Sequence, residues 1–300
     1  MNYHTQIGQR AYIRGKFLVG ALTLIALTAG CQTLAPEQSR TNKPANEVDD
    51  AMRLASSSLQ GGRADQALRE LRAVARANPD NADINNLMGL IQLSLRNTPR
   101  AIHHFTRAYM VDKSTGNGVN LSSALIENKN YRDSEKILLG LTRRKNDEYA
   151  YRERIYHNLG IVASNTKRPR TAEKWFRRAL QENPTFYLSL FHYGNLLDST
   201  GRKKEAMARW QTAATACAVC SDPVAAMTMQ LVAAGDLARA RQLISNFEKQ
   251  ENLPTNDAVR IRELKATVSQ IAASNENQRR ATQLVPRNSS QNSQSPTTNR

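Results

Sequence analysis

Aromatic residues make up only 6% of this 300-residue chain, and 14 glycines, 10 prolines and three cysteines are few for its length. With so few rings, small apolar side chains, chiefly alanine and leucine, must do most of the packing within a hydrophobic fraction of 40%. That balance favours close-packed helices over a β-sandwich. Long apolar runs are scarce too: Phe17 to Leu27 has 11 residues, too few to span a bilayer as a helix. Acids are in deficit, 26 against 42 Lys plus Arg, for a formal charge of +16. No Ser/His/Asp spacing or paired-carboxylate motif stands out. Ser114 to Gly118 (STGNG) neither follows a strand nor carries the lysine of a phosphate loop. His103 and His104 are adjacent, so on a helix they point about 100° apart and cannot chelate one ion from one face. The sequence therefore predicts no catalytic residues, no metal, no cofactor and no small-molecule substrate, and reads as a binding protein rather than an enzyme.

The apolar run is preceded by Arg10, Arg14 and Lys16 and by no acid, which marks residues 1–30 as a signal peptide. It ends in Leu27-Thr28-Ala29-Gly30-Cys31, which resembles the bacterial lipobox. The resemblance implies cleavage before Cys31 and acylation of that cysteine. At about 0.8 kcal/mol per buried CH₂, several acyl chains make an effectively permanent anchor. Gln32 is not the aspartate associated with inner-membrane retention, so outer-membrane sorting is implied. Loss of three cations would leave 16 − 3 = +13 on the mature chain, and in the periplasm nucleic acid is not an expected partner. Residues 31–47, polar and containing Pro36 and Pro44, read as a lipidated N-terminus and flexible tether. Residues 273–300, rich in Ser, Asn, Gln, Thr and Arg, read as a disordered basic and polar tail.

Between these ends small and aromatic residues recur at a period close to 34. The unit 153–186 carries Tyr156, Leu159, Gly160 and Ala163 on one helix, then Ala172, Phe176 and Ala179 on a second, closed by Pro184. The unit 187–220 repeats it with Leu190, Tyr193, Gly194, Leu197, Ala206, Trp210 and Ala213. The register extends to 48–81, 82–115 and 221–254, while 116–149 is degenerate because Ser134 replaces the small apolar alanine. These are the signature positions of the tetratricopeptide repeat. The predicted fold is all-α, a tetratricopeptide solenoid of about six helical hairpins over 48–254. A capping helix over 255–272 carries the stripe Ile261, Leu264, Val268 and Ile271.

In such an array the first helices line a groove for a protein or peptide segment. The candidate contacts are Leu59, Asn86, Leu90, Leu93, His157, Ile161, Phe191 and Asn195, with inter-repeat core as the competing role for each. Cys217 and Cys220 form C-A-V-C at the end of the fifth unit. In an oxidising compartment a local disulfide is the natural reading; unpaired thiols, or catalytic or metal use, are the alternatives.

A lipobox followed by about six tetratricopeptide units resembles the outer-membrane lipoproteins of type IV pilus biogenesis, the PilF, PilW and Tgl pilotins. The local likeness is strongest from Glu153-Arg154 through His157-Asn158-Leu159-Gly160 to Thr171-Ala172-Glu173-Lys174 and Phe176. The resemblance implies a membrane-anchored scaffold that helps the pilus secretin reach or assemble in the outer membrane by gripping it in the repeat groove. An adaptor for peptidoglycan-remodelling enzymes is the other binding function that such a chain fits. A disulfide exchanger using Cys217 and Cys220 is the enzyme-class alternative.

Overall fold

A computed structural model describes residues 44–144 and 149–283; the expected signal peptide, Cys31, most of the expected tether and residues 284–300 lie outside the described residues. The described chain is all-helical, with twelve helices paired as six antiparallel hairpins and a thirteenth following them, and the tetratricopeptide architecture expected from the repeat is the one observed. Two compact units divide near Pro184.

The first unit contains α1 (Pro44–Gln60), α2 (Ala64–Ala77), α3 (Ala82–Ser94), α4 (Thr98–Val111), α5 (Thr115–Glu127), α6 (Tyr131–Thr142), α7 (Arg152–Asn165) and α8 (Pro169–Glu182). Helix α1 starts inside the expected tether, because proline is well accepted in a first helical turn and Glu47 there complements the helix dipole. Side-chain caps start α3 and α5: Asn81 accepts from the Ile84 amide at 3.0 Å, and Ser114 accepts from the Asn117 amide.

The closest helix approach in the second and fourth hairpins is glycine beneath a ring. A Cβ on Gly89 would lie 2.5 Å from the Phe105 ring, and one on Gly160 would lie 2.6 Å from Phe176, while both rings are fully buried. The degenerate third hairpin solves the same packing problem with hydroxyls. Ser122 and Ser134 are both fully buried, Ser134 donates to the Ser122 carbonyl at 3.0 Å, and Ser122 donates to the Gly118 carbonyl at 2.7 Å. Serine fits there because it is as compact as the contact demands and both hydroxyls are satisfied.

Every hairpin turns through a residue of positive φ just past its first helix. That residue is Gly62 in the first hairpin, but Arg96, Lys129 and Lys167 in the next three. A side chain in this left-handed region costs about 1 kcal/mol relative to glycine.

The second unit contains α9 (Tyr187–Ser199), α10 (Lys203–Ala216), α11 (Ser221–Ala233), α12 (Leu237–Glu248) and α13 (Thr255–Gln283), with Gly201 and Gly235 at its turns. Gly194 lies beneath the Trp210 indole. In the last hairpin Thr228 takes the glycine position and Ile244 the ring position, both buried.

Cys217 and Cys220 are joined in a disulfide leading into α11. The next two residues clamp α13: the Ser221 amide and hydroxyl donate to Asp257 at 2.8 and 2.6 Å, and buried Asp222 pairs with Arg260. Because the disulfide closes only a very short loop, replacing both cysteines with serine is expected to cost no more than about 2 kcal/mol in denaturant unfolding. A loss well beyond that would show that the bridge itself orders the clamp.

Helix α13 buries Ile261 and Val268, and half-buries Leu264 and Ile271, as the sequence stripe implied. It then continues to Gln283, so residues 273–283 are helical where the sequence reading placed a disordered tail. That segment is polar yet rich in helix formers, and the Glu276–Arg280 pair at i,i+4 supports it. Propagating an established helix needs no new nucleus.

Candidate partner-binding surfaces

The predicted groove residues fall into two groups. In the first unit, Leu59, Leu90 and Leu93 belong to the hydrophobic core, and Asn86, His157 and Ile161 are buried as well. As exposed groove contacts these six are corrected by the structure: they are interior, because neighbouring repeats cover the faces that a single hairpin would leave open. Asn86 accepts from Asn120 at 2.8 Å, and Asn158 donates to Ser123 at 2.9 Å, so amides and a hydroxyl tie successive first helices together. His157 packs at 5.9 Å, tilted, on Phe176. In the second unit Phe191 and Asn195 remain half-exposed, and Asn195 accepts from the Trp210 indole at 2.9 Å, which holds that ring over Gly194.

The start of α7 concentrates charge and rings. Tyr156 stacks on Trp175 of α8 with the planes 10° apart, Arg178 lies over the Tyr156 ring at 5.5 Å, and Lys174 lies over the Trp175 ring at 5.8 Å. Glu153 is buried here, and burial pushes its carboxyl above the ordinary glutamate range against opposing hydrogen bonds and the Arg154 charge. A raised folded-state value means that the stability contributed by protonated Glu153 is present at acid pH and lost as pH rises through that raised value. Glu153→Gln is therefore expected to gain on the parent as pH rises from acid to neutral, read as a widening melting-temperature gap. A gap independent of pH would contradict this.

Sequence reasoning missed a groove in the second unit. It has a volume of about 490 Å³ and lies among α10, α11 and α12. Met207, Val224, Met227, Leu231, Leu243 and Phe247 form its apolar lining, while Gln211, Gln242, Asn246 and Gln250 place amides in it. Arg239 supplies its one charge. The legible signal was a second stripe on α10, Met207, Gln211 and Ala214, beside the packing stripe Ala206, Trp210 and Ala213. Methionine-lined grooves adapt to varied apolar side chains, and amides can hold a peptide backbone.

The histidine pair does not build a metal site. His104 contacts the Asn85 side-chain oxygen at 3.3 Å, burial holds its pKa low, and the two rings meet edge-on. Among the described residues no group of three or more His, Cys, Asp or Glu is placed to hold a metal, and no helix is long and apolar enough to cross a membrane.

Helical hairpins of this spacing, stacked on small-residue contacts and exposing an amide-lined apolar groove, define a tetratricopeptide-repeat protein. Tetratricopeptide-repeat family models match residues 52–117 and 153–186. Within that class the chain is related to the type IV pilus assembly protein PilF of Pseudomonas aeruginosa, with 27% identity over 165 residues. The alignment covers 54% of this chain and 64% of PilF, less than two thirds of the relative's length. The solved P. aeruginosa PilF structure superposes with a TM-score of 0.56 at 19% identity, covering 74% of this chain and 98% of that one. PilW, described as a widely conserved type IV pilus biogenesis factor, superposes at 0.59 and 18% identity, covering 69% and 96%. A tetratricopeptide repeat protein of Parabacteroides merdae scores 0.62 at 16% identity, covering 77% and 88%. At these identities the superpositions establish the fold; the sequence relationship to PilF carries the resemblance to pilus biogenesis proteins.

Proposed function

We propose that this chain is a lipid-anchored scaffold of type IV pilus assembly, held through Cys31 at the outer membrane, facing the periplasm, and promoting localisation or assembly of the pilus secretin there. The observation that carries the reading is the relationship to PilF across 165 residues. The Leu27-Thr28-Ala29-Gly30-Cys31 sequence supports the anchor. The groove among α10, α11 and α12 offers a surface for a secretin segment, with apolar anchors in the methionine-lined floor and backbone held by the amides. The scaffold acts by binding and needs no catalytic residue or cofactor.

Affinity capture from detergent-solubilised outer membrane is expected to recover secretin with the wild-type chain, and loss of the chain is expected to deplete outer-membrane secretin multimers. Piliation and multimers that persist without the chain would overturn the proposal. Recovery of a murein hydrolase in place of secretin would point instead to an adaptor for peptidoglycan-remodelling enzymes.

A further inference from the structure

We infer that the edge of the first unit at which its hairpins turn docks against an anionic phospholipid surface. Three consecutive turns place a long cation at the left-handed position: Arg96, Lys129 and Lys167, with φ of 61°, 63° and 57°. The first, fifth and sixth turns use glycine there. Two hydrogen bonds between repeats bring the three cationic turns side by side. Thr98 at the second turn donates to Glu127 beside the third at 3.2 Å, and Arg168 at the fourth reaches Glu135 near the start of α6 at 3.0 Å.

Along this edge Arg96, Arg100, Lys129, Arg132, Lys167 and Arg170 are exposed. The acids at these three turns are Glu127, Asp133, Glu135 and Glu173; Glu127 accepts the Thr98 hydroxyl and Glu135 is paired with Arg168. Cations therefore outnumber acids at the edge.

The dipole at the end of each first helix favours a positive charge, which accounts for the sign of these residues. It does not account for a long side chain where glycine makes the same turn unstrained. The exposed large apolar side chains of this unit, Leu54, Met110 and Val111, lie outside these turns. A folded protein partner is held chiefly by apolar and aromatic anchors in pockets. A row of mobile point charges, one per repeat and without apolar anchors, matches a diffuse layer of anionic headgroups. The inference is independent of which protein the repeats grip, and it orients the first unit on the membrane rather than merely tethering it.

The test compares the full chain with its Arg96→Gly, Lys129→Gly, Lys167→Gly triple variant by co-sedimentation with vesicles. One set is phosphatidylglycerol with phosphatidylethanolamine and the other is phosphatidylcholine alone. Glycine relieves the left-handed strain, so the variant keeps the fold, and any acyl anchor contributes equally to both proteins. The variant is expected to lose about fivefold in partition to anionic vesicles per cation removed, on the order of a hundredfold for three. The difference should shrink at high salt and vanish on phosphatidylcholine. Swapping arginine for lysine and lysine for arginine at the same positions should retain binding. Equal partition of parent and triple variant into anionic vesicles would overturn the inference. So would an equal loss on neutral vesicles, or charge-dependent retention by murein sacculi without retention by vesicles. None of these outcomes bears on secretin capture, so the two proposals fail separately.

Discussion

Replacing Phe176 with alanine is expected to destabilise the first unit by about 3–5 kcal/mol, a large share of the about 5–15 kcal/mol that holds a typical domain together. The ring is fully buried, covers Gly160 so closely that a methyl group there would stand 2.6 Å from it, and carries His157 on its flank. Its loss leaves a cavity facing a residue with no side chain to collapse into it. Urea unfolding monitored by circular dichroism should show the midpoint fall, with a slope consistent with a structured native state. Gly160→Ala alone should also destabilise, since the buried ring cannot move aside. Combined with Phe176→Ala, the added methyl group should recover part of the loss, which makes the two effects non-additive with a favourable coupling. A cost below about 1 kcal/mol for Phe176→Ala would mean that the glycine–ring contact does not set the hairpin spacing.

Met207→Asp is expected to weaken capture of the proposed secretin partner by about a hundredfold, the scale of a central interface anchor replaced by a charge. Met207 is half-exposed in the groove of the second unit, so the carboxylate remains solvated in the free protein and the fold survives. Burial beneath a partner would strip that solvation away. The matched control is Met110→Asp, at an exposed methionine of the first unit, which should leave capture unchanged. Equal capture by the parent and Met207→Asp chains, with unfolding midpoints also equal, would remove the groove from the binding surface.

Both expectations rest on features that differ in how far they could be read from the chain alone. The glycine–ring contacts were legible because they are local: Gly160 and Phe176 belong to one hairpin, and a repeating small residue opposite a repeating ring has few packing solutions. The third hairpin was legible only in part. Ser134 marked it as irregular, but that Ser122 faces it and that both hydroxyls find carbonyls depends on helix rotation within the pair. The end of α13 was misplaced at 272 because polarity was read as disorder, whereas a helix already anchored by Ile261 and Val268 extends through polar residues at little cost.

What the sequence determined by itself is the all-α repeat, its register, and the expectation of an anchored amino terminus at Cys31, since these follow from spacing along a single strand of chain. The tertiary structure decided which faces remain open. Leu59, Asn86, Leu90, Leu93, His157 and Ile161 are outward on an isolated hairpin and interior once repeats stack. The methionine-lined groove and the row of cationic turns exist only where helices of different repeats come together. Periodicity reports how a residue is placed on its own helix, whereas exposure depends on neighbours more than thirty residues away, about one repeat length, and that information is held in the packing.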